Sequence, residues 1–316
     1  MITLQHLYDL GGAMFVGFAL LSLLDRANKK RLGNAVFYAL LATSFLAGHM
    51  LGDRGNGILA LAIAGVAGFG LIGRGDPPTT SPAEREAFAA TFGNKLFLPA
   101  LIIPATVFLG TLAYKLTPLG RAGLFEPAWV TPILLGLGAL LALLAIVVWR
   151  RPPMLAPLNE GRRLMDAIGW AVVLPQMLAA LGAVFLLAGV GTILGGIFGQ
   201  IIPDGSLFAA VLVYAIGMAA FTMITGNAFA AFPVMAAAIG VPLLIGTYHG
   251  NPAVIGAIGM LAGFCGTLMT PMAANFNIVP VRLLELKDQN AVIKAQVGTA
   301  LPLLLANILL IYFLAF

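Results

Sequence analysis

Apolar residues run through this chain in blocks of about twenty, the length that crosses a hydrocarbon core, separated by short polar or Gly/Pro-rich punctuation. The pattern predicts helices near residues 4–24, 34–51, 57–73, 92–114, 128–149 and 168–199. Two later stretches are interrupted. One, 206–245, breaks at Thr225-Gly226-Asn227; the other, 252–286, breaks between Gly266 and Asn277. A last helix is expected over 292–316. The expected fold is an all-α polytopic membrane protein with about seven to nine spanning helices, one re-entrant helical hairpin and one discontinuous helix. Residues 1–165 read as an N-terminal helical bundle and 166–316 as a second half that carries both interruptions.

Composition agrees with the pattern. Hydrophobic residues make up 60% of the 316 and charged residues 9%, with a mean hydropathy of +1.01; soluble domains carry about 25% charged residues. The net charge of +5 calls for no nucleic-acid partner, because loop bias accounts for it. Met1 to Leu10 lacks the basic segment of a cleavable signal, so the first apolar run is expected to stay as a helix. One cysteine, Cys265, excludes an intrachain disulfide and a multi-cysteine metal site, and reads as a small buried hydrophobe.

The charges orient the spans. Fourteen of the 17 lysines and arginines fall in connections on one side: Arg26–Arg31, Arg74–Lys95, Arg150–Arg163 and Arg282–Lys294. Arg54, Lys115 and Arg121 lie opposite. The positive-inside rule puts the N-terminus outside, in a bacterial inner membrane. The basic 282–294 segment reaches the inside only if 206–245 enters and leaves from the outside, which favours a hairpin over one crossing. The polar stretch Asp76 to Glu86 reads as an inner linker.

The two breaks carry the candidate chemistry. In the first, Gly226 permits a turn, Thr225 and Asn227 supply side-chain oxygens, and Asn227 suits an N-cap for the following arm. A helix starting inside the membrane presents free N–H groups and a positive dipole end to an anion. Pro233 would loosen that arm. The second break holds Gly266, Thr267, Thr270, Pro271, Asn275 and Asn277; carbonyls freed around Pro271, with hydroxyls and amides, can hold a small cation. The alternatives are a glycine-kinked span and a proline kink repaired by neighbouring hydroxyls. Two amides at lipid depth, Asn275 and Asn277, weigh against the second alternative.

All twelve acids fall at predicted segment ends or in loops, so no carboxylate proton relay is expected. Any coupling cation would be held by neutral oxygens, which suit Na+ better than a proton. His6, His49 and His249 read as interfacial. The sequence shows no HExxH, GxSxG or P-loop motif, and Ser44 and His49 do not share a helix face, so no enzyme is expected.

A Gly-Asn hairpin tip, an Ala-rich run to a proline, and a Thr-Pro break followed by Asn resemble the ion transporter superfamily, which includes divalent anion/sodium symporters and citrate permeases. Thr225, Gly226 and Asn227 match its hairpin tip; Thr270, Pro271 and Asn275 match its discontinuous helix. Over nearly its full length the chain looks like the bacterial permease family taken as the larger membrane subunit of a 5-oxoproline transporter. Phe92-Gly93-Asn94-Lys95-Leu96-Phe97-Leu98-Pro99 and the Cys265 to Asn275 segment carry that resemblance. It implies secondary transport of a small organic anion. The superfamily uses two inverted repeats, and this chain shows one complete set; its N-terminal half offers only Gly93-Asn94, Pro99, Pro104 and Thr117-Pro118. The resemblance therefore implies a second, smaller membrane subunit, or a homo-oligomer, supplying the facing half-site. A non-transporting scaffold subunit that positions a partner permease is the competing expectation.

Overall fold

The computed structural model describes residues 1–75, 80–120, 122–284 and 286–316; the predicted linker residues Asp76 to Thr79, together with Arg121 and Glu285, lie outside the described residues. Among those described there is no β-strand, only an isolated bridge between Ile2 and Phe125. Among the described residues, eight helical segments are long and apolar enough to cross a membrane. The chain divides into two compact units, Met1–Gly169 and Trp170–Phe316.

The first unit contains α1 (Leu4–Leu24), α2 (Arg31–Gly68), α3 (Pro82–Phe92), α4 (Phe97–Leu116), α5 (Val130–Arg150) and α6 (Ala156–Ile168). The expected helices 34–51 and 57–73 are two arms of α2, which breaks at Gly52 (φ 61°, ψ −178°). The arms fold back on each other: Lys30 Nζ donates to the Gly70 carbonyl at 2.7 Å, and Asn34 exchanges bonds of 2.6 and 2.8 Å with Gly73. The linker expected over 76–86 is helical from Pro82 onward. Ser81 and Glu84 form a reciprocal cap, Glu84 N–H to Ser81 Oγ at 3.2 Å and Ser81 N–H to Glu84 Oε2 at 2.6 Å, which starts α3 inside that polar stretch.

Helix α6 shows that an acid at a predicted segment end can still be packed inside the unit. Arg162 and Asp166, one helical turn apart, share a face and are buried. Arg162 Nη1 donates to the Leu21 carbonyl at 2.9 Å, and Nη2 lies 3.3 Å from Asp25 Oδ2. Asp166 accepts from the Tyr38 hydroxyl at 2.5 Å, Asn34 Nδ2 at 3.1 Å and the Gly75 amide at 3.3 Å. Sequence distance hid this cluster, because Asp25, Tyr38 and Asp166 come from three helical segments and their termini.

The second unit contains α7 (Leu174–Leu187), α8 (Val190–Ile201), α9 (Leu207–Thr225), α10 (Ala228–Met235), α11 (Pro252–Leu268), α12 (Ala274–Leu283) and α13 (Ala291–Leu314). The single helix expected over 168–199 is instead two, because Gly189 (φ 68°) ends α7. α7 and α8 still run on in one direction. Gly182 lies against Ala230, Gly191 against Val234 and Ala237, and Gly195 against Ala238, so the pair is parallel to α10 and the π-helix Ala236–Thr247 that extends it. Helices α9 and α11 are also parallel, with Gly259 on Tyr214, Gly263 on Met218 and Gly266 on Ala219. Tyr214, Met218, Met235, Ile239, Ile255 and Ile311 form the centre of this unit's core.

Candidate functional site

Both breaks are real interruptions, and parallel packing of α9 on α11 brings them to one level. Helix α9 ends at Thr225, and Gly226 adopts φ 75°. A side chain there would be strained by that angle, and its Cβ would strike the Met272 carbonyl oxygen of the second break. The Gly226 amide closes α9 by donating to the Thr222 carbonyl at 2.7 Å. Asn227 then caps α10: its Oδ1 accepts the Phe229 amide at 2.8 Å.

The second break is narrower than the interval expected from the letters. Residues Met269 to Ala273 separate α11 from α12. Thr270 Oγ1 donates to the Met223 carbonyl at 2.9 Å and accepts the Met272 amide at 3.2 Å, tying the second break to the end of α9. Asn277, wholly buried, donates from Nδ2 to the Thr267 and Thr270 carbonyls at 2.7 Å each. It replaces two amide donors that the interrupted helix no longer supplies.

Four helix ends therefore meet in one place. The C-termini of α9 and α11 bring carbonyl oxygens, and the N-termini of α10 and α12 bring N–H groups and positive dipole ends. α12 has no side-chain cap; Phe276 N–H donates to the Ala273 carbonyl at 3.0 Å, and the amides of Ala274 and Asn275 have no partner among the described residues. Two neutral oxygens, Thr222 Oγ1 and Asn277 Oδ1, are buried without a hydrogen-bond partner. Such atoms are costly unless water, an ion or another group answers them.

The sequence-derived candidates divide into groups. Gly226, Asn227, Thr270 and Asn277 build the junction. The hydroxyls of Thr225 and Thr267 bond back to Phe221 and Phe264 of their own helices, at 2.9 and 2.6 Å. Gly266 serves close approach: a Cβ there would collide with the Ala219 carbonyl oxygen. Pro271 is exposed in the break, and Asn275 is half-buried in the first turn of α12. Thr222 and Asn307 escaped sequence reasoning. Thr222 sits one turn before Gly226 on α9, a spacing that could have found it. Asn307 Nδ2 reaches Cys265 Sγ at 3.6 Å from α13, and no local pattern marks it.

The fold and this junction define a multi-pass α-helical membrane protein with a polar break buried in its second unit. The chain belongs to the family described as a protein of unknown function (DUF979), whose profile matches residues 5–316. No curated protein and no solved structure matches the chain.

Proposed function

We propose that this protein is a membrane subunit of a secondary transporter for a small organic anion, and that the junction of the two breaks is half of its substrate site. One observation carries the reading. Breaks some 40 residues apart in sequence meet through Thr270 and Met223 and through the contact of Gly226 with Met272. Irregular backbone at lipid depth is tolerated where it lines a built site. The amides of Ala228 at the start of α10 and of Ala274 and Asn275 at the start of α12, which no local acceptor claims, suit the carboxylate of an anion. Unanswered neutral oxygens at Thr222 and Asn277 suit Na+ as coupling ion.

The hairpin of α9 and α10 reads as re-entrant. Its tip lies level with the end of α11, yet α12 still runs ten residues, roughly 15 Å, toward basic Arg282. With the basic flank inside, that tip enters from the outside and stops within the bilayer, in an inner membrane with the N-terminus outside. 5-oxoproline is the substrate to test first, on the sequence resemblance alone. A second, smaller membrane subunit or a second copy would supply the facing half.

The scaffold reading has its own support, since Thr225, Thr267 and Asn277 spend their donors on neighbouring backbone. Uptake of labelled 5-oxoproline by cells with and without the gene, with sodium present and then replaced, separates the two. Gene- and sodium-dependent uptake is expected, and Asn227→Ala should lower it at least several-fold with membrane levels unchanged. Equal loss of uptake and of assembled protein would make Asn227 structural and favour the scaffold.

A further inference from the structure

Away from the breaks, the first unit carries an apolar groove of about 640 Å3 between α1 and the first arm of α2. Ala19, Leu20, Leu23, Leu32, Val36 and Ala39 line most of its lower half. Its single hydroxyl group, on Thr43, donates to the Ala39 carbonyl of its own helix at 2.9 Å. Nothing in the wall asks for a polar ligand. Along α2 the lining runs from Leu32 to Ala47, roughly 22 Å at 1.5 Å per residue. That is at least the depth of one leaflet's hydrocarbon, about 15 Å.

The lining residues Leu23 and Leu32 put one end of the groove beside the turn joining α1 to α2, and that turn holds four cations. Lys30 is committed to the Gly70 and Ile72 carbonyls. Asp25, the turn's one acid, faces the buried Arg162. The side chains of Arg26, Lys29 and Arg31 form no hydrogen bond or ion pair with any described residue, and Arg26 and Lys29 are exposed. An apolar channel of leaflet depth with three uncommitted cations at its mouth matches one molecule part for part: an acyl chain below and a phosphate-bearing anionic headgroup above.

We propose that this groove is a binding site for an anionic phospholipid, with the acyl chain against Leu20 and Ala39 and the headgroup on Arg26, Lys29 and Arg31. The site is independent of any transported substrate. It would anchor the α1–α2 turn, which also carries Asp25 of the buried ionic cluster.

The test uses the full chain reconstituted in phosphatidylcholine vesicles holding a trace of chain-spin-labelled phosphatidylglycerol or phosphatidylcholine. The motionally restricted fraction reports bound lipid. Phosphatidylglycerol should be preferred at least about fivefold, the effect of a single basic side chain near the headgroup, and on the order of a hundredfold if all three act in full. The variant Arg26→Gln/Lys29→Gln/Arg31→Gln should bring both lipids to equal association. Ala39→Trp fills the groove with every charge in place, and should abolish the phosphatidylglycerol preference while the general boundary lipid stays. The proposal falls if the wild-type protein shows no preference, or if Ala39→Trp leaves the preference for phosphatidylglycerol unchanged. It also falls if a nitroxide at Ala39→Cys, in a Cys265→Ser background, is shielded from oxygen, because protein would then occupy the groove. Should the triple variant fail to reconstitute, the wild-type preference and Ala39→Trp still decide.

Discussion

Each unit buries polar groups, and the two do so with opposite chemistry. The first uses full charges, with Arg162 between Asp25 and Asp166 and with Tyr38 and Asn34 completing the carboxylate shell. Its unanswered atoms include Asp25 Oδ2 and Arg162 Nε, which belong to one ion pair, and Ser22 Oγ. The second unit uses neutral amides, hydroxyls and backbone ends, and leaves acceptors without donors at Thr222 and Asn277. Buried charges bind helices together only while every partner is present. An unpartnered neutral oxygen costs far less to bury than an unpaired charge. The first cluster therefore reads as a latch, whereas the neutral chemistry of the second suits the receptive role proposed for it.

Three substitutions would break or sharpen that contrast. The largest effect is expected from Arg162→Met, which leaves Asp25 and Asp166 buried with no cation and should cost about 3–5 kcal/mol. Denaturant unfolding of the detergent-purified protein checks it, and adding Asp25→Asn and Asp166→Asn should restore much of the loss. Next is Gly226→Ala. The left-handed backbone and the Met272 carbonyl both oppose the new methyl group, for a loss of roughly 1–3 kcal/mol together with failure of uptake. Stability and uptake unchanged in that variant would remove the junction as drawn. The smallest is Asn277→Ala, which takes two donors from the Thr267 and Thr270 carbonyls and should cost about 1–2 kcal/mol. If the junction is receptive, its uptake should fall further than that stability change explains, as read from uptake per unit of folded protein.

Much of this architecture was visible in the letters, for specific reasons. Leu4–Leu24, Val130–Arg150 and Ala291–Leu314 are uninterrupted apolar runs, and lipid demands a helix from each. The breaks were visible because Gly226, Asn227 and Pro271 cannot continue a regular helix without cost. The bend at Gly189 was not, since an isolated glycine inside an apolar run is equally at home in a straight helix. The start of α3 was masked by polar composition, although the Ser81–Glu84 cap was there to be read. The ionic cluster was invisible for another reason: Asp25, Tyr38 and Arg162 each look like ordinary segment-end residues until α6 folds onto α1 and α2.

By itself, then, the sequence determined that this is a multi-pass helical membrane protein and where its helices must fail, because hydrocarbon length and backbone hydrogen bonding are local constraints. Only the tertiary structure decided that the two failures meet. That needed the parallel packing of α9 on α11, made close by Gly259, Gly263 and Gly266, to carry Gly226 to Met272 and Met223 to Thr270. It also decided which polar residues answer one another and which oxygens remain open, a property of distances between segments that no single segment encodes.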